Sequence, residues 1–219
     1  MNTYKFTGLI ILIILSLNSR LNAIQDEKAR KILDELSEQT MSAPSVSIDF
    51  TITMTSLRDE ISEEFEGKVT MKGEKYRLVI MGTESWFDGS SIFTYMPDIN
   101  EVIISDPDED GGLLSNPTRL FTMYHEEFKY KLAGETTLAG KRLYEVDLHP
   151  LDLDHTFHTV KLYIERSNNF LHSAVIAGKD GNRYTFTVNT FNNTNQVPDS
   201  YFVFNESNYP GIEVIDMRW

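Results

Sequence analysis

The chain has 219 residues, no cysteine, 41% hydrophobic residues and a formal net charge of −13. The absence of cysteine excludes a disulfide framework, thiol catalysis and a lipid-modified N-terminal cysteine. The acidity argues against binding nucleic acid or anionic lipid surfaces, and the length suits one domain with a substantial core.

Lys5 gives a weakly positive start, Leu9 to Leu17 is an almost unbroken apolar run, and Leu21-Asn22-Ala23 puts a small residue before polar Gln25-Asp26-Glu27. This is the three-part pattern of a secretory signal peptide. The run is too short to span a bilayer, which needs about 20 apolar residues. The expected organisation is a signal peptide over 1–23 and a single exported domain over 24–219. A retained N-terminal anchor is the alternative, because Leu21 is large for the third position before the cut. Cleavage would remove Lys5 and Arg20 and no acid, so −13 would become −15.

The first element after the cut is expected to be a helix. Asp26 can cap it, Glu27 sits in its first turn, and Ala29, Ile32, Leu33 and Leu36 make one apolar stripe. Pro44 closes it. Strands follow in series. Val46, Ile48, Phe50, Ile52 and Met54 alternate with polar residues, as do Phe65, Gly67, Val69 and Met71. Tyr76, Leu78 and Ile80 share a face. Asp88-Gly89 marks a hairpin between Trp86-Phe87 and Ile92-Phe93, and Val102 and Ile104 continue the meander.

The acidic loop Asp106 to Gly112 interrupts the strands. Ser115-Asn116-Pro117-Thr118 then opens a second helix, with Leu120, Phe121 and Tyr124 on one side. Strands resume at Phe128–Leu132, Tyr144–Leu148, Val160–Ile164, Leu171–Ala177 and Tyr184–Val188, with Phe202 and Phe204 read as a last one. Lys179-Asp180-Gly181-Asn182 is a turn. Alternation implies one wet face, as in antiparallel sheets.

No catalytic or metal-binding pattern stands out. Asp106-x-Asp108-x-Asp110-Gly111 matches the start of a calcium loop, but its twelfth position is Pro117 and not Glu. His155 and His158, three apart, would not share a strand face and lack a third ligand. Ser90-Ser91 lacks the context of a hydrolase nucleophile. Glu63-Glu64 and Asp108-Glu109-Asp110 are charge runs. Asn192-Asn193-Thr194 and Asn205-Glu206-Ser207 are glycosylation sequons, without weight in a bacterial host. The expectation is a non-enzyme without cofactor or metal.

Several short patterns recur in a definite order. They are Phe65-x-Gly67-x-Val69-x-Met71-Lys72, Tyr76-Arg77-Leu78, Trp86-x-Asp88-Gly89, Tyr95-x-Pro97-x-x-Asn100-Glu101-Val102 and Asn116-Pro117-Thr118. Tyr144-x-Val146-x-Leu148-x-Pro150, Gly181-Asn182 and the ending Pro210-Gly211-Ile212-Glu213-Val214-Ile215-Asp216 complete the series. In this order, behind a signal peptide, the chain resembles the outer-membrane lipoprotein carrier proteins, the LolA-like periplasmic chaperones, over nearly all of its mature length.

The resemblance implies a mainly β fold: a curved, incompletely closed antiparallel barrel with short helices as a lid over an apolar cavity. It implies a periplasmic carrier that takes acylated lipoproteins from an inner-membrane lipoprotein-releasing ABC transporter to an outer-membrane acceptor. The carrier would work as a monomer, without covalent chemistry or nucleic acid. One departure is plain: members carry an Arg-Pro pair after the lysine that matches Lys72, whereas Lys72-Gly73-Glu74-Lys75 stands here without the arginine said to latch the lid.

The physics agrees with a carrier. Each CH₂ hidden from water contributes about 0.8 kcal/mol, and adaptable Met and Phe side chains suit a releasable cargo. The candidate cavity residues are Phe50, Ile52, Met54, Phe65, Val69, Met71, Tyr76, Leu78, Ile80 and Trp86. Leu33, Leu36, Leu120 and Phe121 are candidate lid contacts. Periodicity marks a buried face without saying whether core or cargo fills it. The competing reading is an envelope sensor or scaffold that uses the same fold as an interaction surface.

Overall fold

The computed structural model describes residues 27–56, 58–59, 61–107, 118–122 and 124–218. Its first described element is helix α1, over residues 27–41. The expected stripe is the buried one: Ala29, Ile32, Leu33 and Leu36 are at most 4% exposed. Each buried leucine or isoleucine contributes about 2 kcal/mol, so this face docks the helix. The Ser42 N–H bonds to the Glu38 carbonyl at 3.0 Å in the last turn, and Pro44 pushes Ala43 out of helical conformation. Asp26, the expected cap, lies outside the described residues.

Six strands follow: β1 Val46–Ser56, β2 Ser62–Lys72, β3 Lys75–Ile80, β4 Thr83–Phe87, β5 Ile92–Met96 and β6 Glu101–Ser105. Two short helices, α2 Arg119–Thr122 and α3 Tyr124–Glu127, lead into the second series. That series is β7 Phe128–Leu138, β8 Lys141–Pro150, β9 Phe157–Glu165, β10 Leu171–Gly178 and β11 Asn182–Asn192, with β12 Glu213–Asp216 near the end. All twelve strands form one sheet, in the order β12-β6-β5-β4-β3-β2-β1-β11-β10-β9-β8-β7. Two meanders therefore meet at the antiparallel β1–β11 pair, and β12 returns parallel to β6. The outermost strands β12 and β7 do not pair, so the curved sheet is incompletely closed, as expected. Exposed Lys129 and Lys131 and a bulge at Leu132/Gly134 discourage further pairing on the β7 edge.

The expected strand at Phe202 and Phe204 is not there. Asp199–Phe202 is a 3₁₀ turn preceded by Pro198, and a second 3₁₀ turn covers Glu206–Asn208. Pro198 offers no N–H to a ladder, and Phe202 is fully buried with the first turn packed on β3. No helix among the described residues is long and apolar enough to cross a membrane.

One face of the sheet, the inner face, carries the main core. It receives α1, Phe121 of α2 and Tyr124 of α3.

Candidate functional site

The inner face has two halves made by the same strands. In the closed half, Val46, Ile48 and Phe50 of β1, Val69 and Met71 of β2, and Tyr76 and Leu78 of β3 are at most 4% exposed. They share one buried cluster with Leu33, Leu36 and Phe121. Strand pairing aligns them: Ile48 lies opposite Val69, Val69 opposite Leu78, and Met71 opposite Tyr76. Gly67 belongs to this packing. A Cβ there would collide with the Phe50 ring, which occupies the space that any larger residue would need. Phe50 also packs on Phe186, with centroids 4.7 Å apart.

In the open half the same alternation continues but, among the described residues, the cover does not. Met54, Phe65, Ile80, Tyr184 and Phe186 are half-buried. They are contiguous through the ladder: Ile52 pairs with both Phe65 and Phe186, Met54 with Tyr184, and Gly67 with Ile80. Ile52, at 7% exposure, links the two halves. The result is an apolar strip across β11, β1, β2 and β3, at the centre of the sheet. Tyr184 and Phe186 were legible as strand residues in the sequence but not as part of this site. Their partner strand β1 lies more than 120 residues away, and nothing local announces the pairing.

Trp86 is a correction. It pairs with Arg77, and its neighbour Phe87 pairs with Tyr76. Adjacent strand residues point to opposite faces, so Phe87 joins the inner core and Trp86 faces outward, away from the other nine candidates. Its ring meets Phe204 at 5.4 Å and Tyr209 at 6.2 Å. The Arg77 guanidinium lies over both Trp86 and Tyr201, at 5.4 and 4.8 Å, and is paired with Glu84. The chain after Pro198 thus covers an aromatic cluster on the outer face.

Lys72 and Lys75 hold this tail. Their ammonium groups lie 2.6 and 3.4 Å from the Asp199 carboxylate, and these hydrogen bonds and charges lower its pKa. Lys72 also donates to the Val197 carbonyl at 3.4 Å. Where the resemblance placed a lid latch, the structure has a clamp on the C-terminal segment.

A different residue ties α1 down. Asp34 accepts a hydrogen bond from the Tyr124 hydroxyl at 2.6 Å and lies 2.9 Å from His125 Nε2. Burial and the Asp34 carboxylate together push the Tyr124 phenol well above its ordinary pKa, which keeps the donor proton in place. The Asn169 side chain donates to Glu35 at 2.8 Å. Leu33, Leu36 and Phe121 are buried in the same cluster as the closed half of the sheet. The Leu120 side chain lies outside the described residues.

The remaining chemical motifs have structural surroundings. Asp88 accepts from the N–H groups of Ser90 and Ser91, at 2.8 and 3.0 Å, and so shapes the β4–β5 turn. The Ser91 hydroxyl receives the Arg218 guanidinium at 3.1 Å. The His155 ring lies near Phe128 and Phe157, and His158 falls on β9 with an exposed side chain. Residues 108–117, with most of the calcium-like loop and Asn116-Pro117, lie outside the described residues. No group of three potential metal ligands occurs among the described residues.

Fold and site together are a curved open sheet with a helical cover and, among the described residues, an apolar strip left half-buried at its centre. Residues 20–166 match the family model described as outer membrane lipoprotein carrier protein LolA, and the chain belongs to that family. An uncharacterized conserved protein from Thermus thermophilus is similar over 86% of this chain and 99% of its own, with a TM-score of 0.60 and 16% identity. A DUF1329 family protein from Desulfovibrio piger is similar over 84% and 99%, with a TM-score of 0.50 and 12% identity. A LolA superfamily protein from Nitrosomonas europaea aligns over 80% and 97%, with a TM-score of 0.46 and 16% identity. At such identities the first two likenesses concern the fold alone. No curated protein matches the sequence.

Proposed function

We propose that the mature chain is a periplasmic carrier that holds the acyl chains of a lipoprotein against the open half of the inner face. It moves this cargo from the inner to the outer membrane without covalent chemistry. The observation that carries this reading is the strip Met54, Phe65, Ile80, Tyr184 and Phe186, left half-exposed at the centre of a curved sheet. Contiguous apolar surface that a protein leaves uncovered marks a binding site. An acyl chain laid on it hides about 0.8 kcal/mol per CH₂. A strip that is partly wet when empty gains enough on binding to hold the cargo and stays accessible for release. The family match and the N-terminal export pattern support the compartment and the route. An inner-membrane ABC transporter is the donor and an outer-membrane protein the acceptor. The carrier acts as a monomer and needs no cofactor.

The test is mass spectrometry of what co-purifies with the exported protein from its native envelope. Acylated lipoproteins with wild type, and none with Phe65→Glu, are expected. A clean wild-type preparation, under conditions that preserve other carrier complexes, overturns the reading.

One observation favours the second reading, an envelope sensor or scaffold. The C-terminal segment, from the turn on β3 to the edge strand β12, leaves Val203, Val214, Ile215 and Met217 between 36% and 53% exposed. A protein partner recovered from wild type and lost with Ile215→Asp, with no acyl cargo in either preparation, selects it.

A further inference from the structure

A cleft of about 590 Å³ opens where the loop between β8 and β9, residues 151–156, faces the turn between β10 and β11. Its floor is Phe157, Ile176 and Tyr184. Phe157 and Ile176 belong to the buried core and Tyr184 packs against it. Tyr184 also ends the open strip, opposite Met54. The cleft therefore continues the strip. Its outer wall has another character: Leu153 is 80% exposed, beside Asp154 and Asp180.

This wall is well tied. The Lys179 N–H donates to the Thr156 carbonyl at 2.8 Å, and its ammonium donates to the Leu153 carbonyl. The His155 ring packs on Phe157, with centroids 5.1 Å apart. Asp180 accepts the Asn182 N–H at 2.9 Å and the Tyr184 hydroxyl at 3.3 Å. The cleft is a preformed notch with an apolar floor and an acidic rim. Its volume falls in the range of about 300–1,000 Å³ usual for small-ligand sites.

We propose that this notch is where the glyceryl end of an acylated polypeptide leaves the protein, with its chains running inward over Tyr184 and its leading residues crossing the acidic rim. The inference rests on the acyl-binding reading above. A diacylglyceryl peptide is ordered as hydrocarbon, ester and peptide. The surface it would cross is ordered as apolar strip, apolar floor with the single hydroxyl of Tyr184, and charged rim. At that rim two carboxylates, Asp154 and Asp180, stand against one ammonium, that of Lys179, which is tied to the Leu153 carbonyl, so basic leading residues are favoured over acidic ones. Complementary charge of this kind selects among partners that share the same apolar anchor.

Three probes separate the parts: a synthetic dipalmitoylglyceryl-cysteinyl peptide continuing in four lysines, its counterpart with four glutamates, and palmitate. Calorimetric titration into the purified exported protein is expected to give about tenfold tighter binding of the lysine form at low salt. The double variant Leu153→Ser, Asp154→Lys should lose that preference and keep wild-type palmitate affinity, which also shows that it is folded. A photo-crosslinker at Leu153 should capture the peptide part, and one at Val79 on the outer face should not. If the double variant keeps the lysine preference, or only the Val79 probe captures peptide, the notch is wrong. Loss of both lipopeptides with Phe65→Glu would in that case leave the acyl-binding reading standing. If wild type binds none of the three probes, both the notch and that reading fall.

Discussion

The closed and open halves of the inner face share strands β1, β2 and β3 and the same alternation, yet one is a core and the other a surface. Around Tyr76, α1 and Phe121 join the sheet in one dry cluster, and Val69, Met71 and Tyr76 are at most 2% exposed. Around Phe65 nothing comparable among the described residues lies on top, and β2 begins with exposed Ser62, Glu63 and Glu64. What covers a face, and not its sequence pattern, decides whether it stabilises or binds. The closed half contributes stability. The open half withholds the same kind of side chain from the core and so remains available to a ligand.

The largest effect that would break this comparison is Leu78→Asp. A charge at a position 4% exposed, with no partner provided, costs about 4 kcal/mol or more. The expected fall in melting temperature is about 8–16 °C for a chain of this size. A melting temperature close to wild type would mean that the closed half is not a core.

Phe65→Glu comes next and has the opposite signature. The side chain is half-buried, so the melting temperature should move by no more than about 3 °C, while binding of a fluorescent fatty acid is lost. A fall as large as that of Leu78→Asp would erase the distinction between the halves.

Asp34→Asn removes the charge from the tie between α1 and α3. The group is 43% exposed, so screening reduces its effect to about 1 kcal/mol. Hydrogen exchange should quicken in α1 while β1 stays protected. Equal acceleration in both would show that the cover and the core open as one unit.

The smallest effect concerns the tail and pH. The Arg218 side chain and backbone hold the Asp216 carboxyl down to about 2, and Lys72 and Lys75 hold Asp199 below the usual range. Carboxylates whose folded pKa lies below the unfolded one stabilise above about pH 4 and lose this contribution as pH falls toward 2. The tail should therefore loosen on acidification. A red shift of Trp86 fluorescence, followed in a Trp219→Phe background, checks it. The shift should come while near-UV dichroism of the inner aromatic residues persists, and coincident changes would show that tail and core are one cooperative unit.

Much of the fold was legible because alternation is a local property. Val46 to Met54 announce a strand with one apolar face, Asp88-Gly89 announces its hairpin, and the stripe at Ala29, Ile32, Leu33 and Leu36 announces a docked helix. Trp86 and Phe87 were not separable: two adjacent large aromatics fit either phase of a strand, and only the pairing of Arg77 with Trp86 says which one points out. Phe202 and Phe204 imitate a strand because their spacing of two is right. Pro198 and the burial of Phe202 against β3 override it.

By itself the sequence determined the order of most strands and turns, the family and most of the residues from which the inner face is drawn. Only the tertiary structure decided which of those residues are covered, which side Trp86 takes, that Lys72 and Lys75 grip Asp199, and that Asp34 ties down the helix. Periodicity needs only neighbours two to four residues apart. Coverage depends on the register of strands more than 120 residues apart, and on where three helices and a C-terminal segment come to rest.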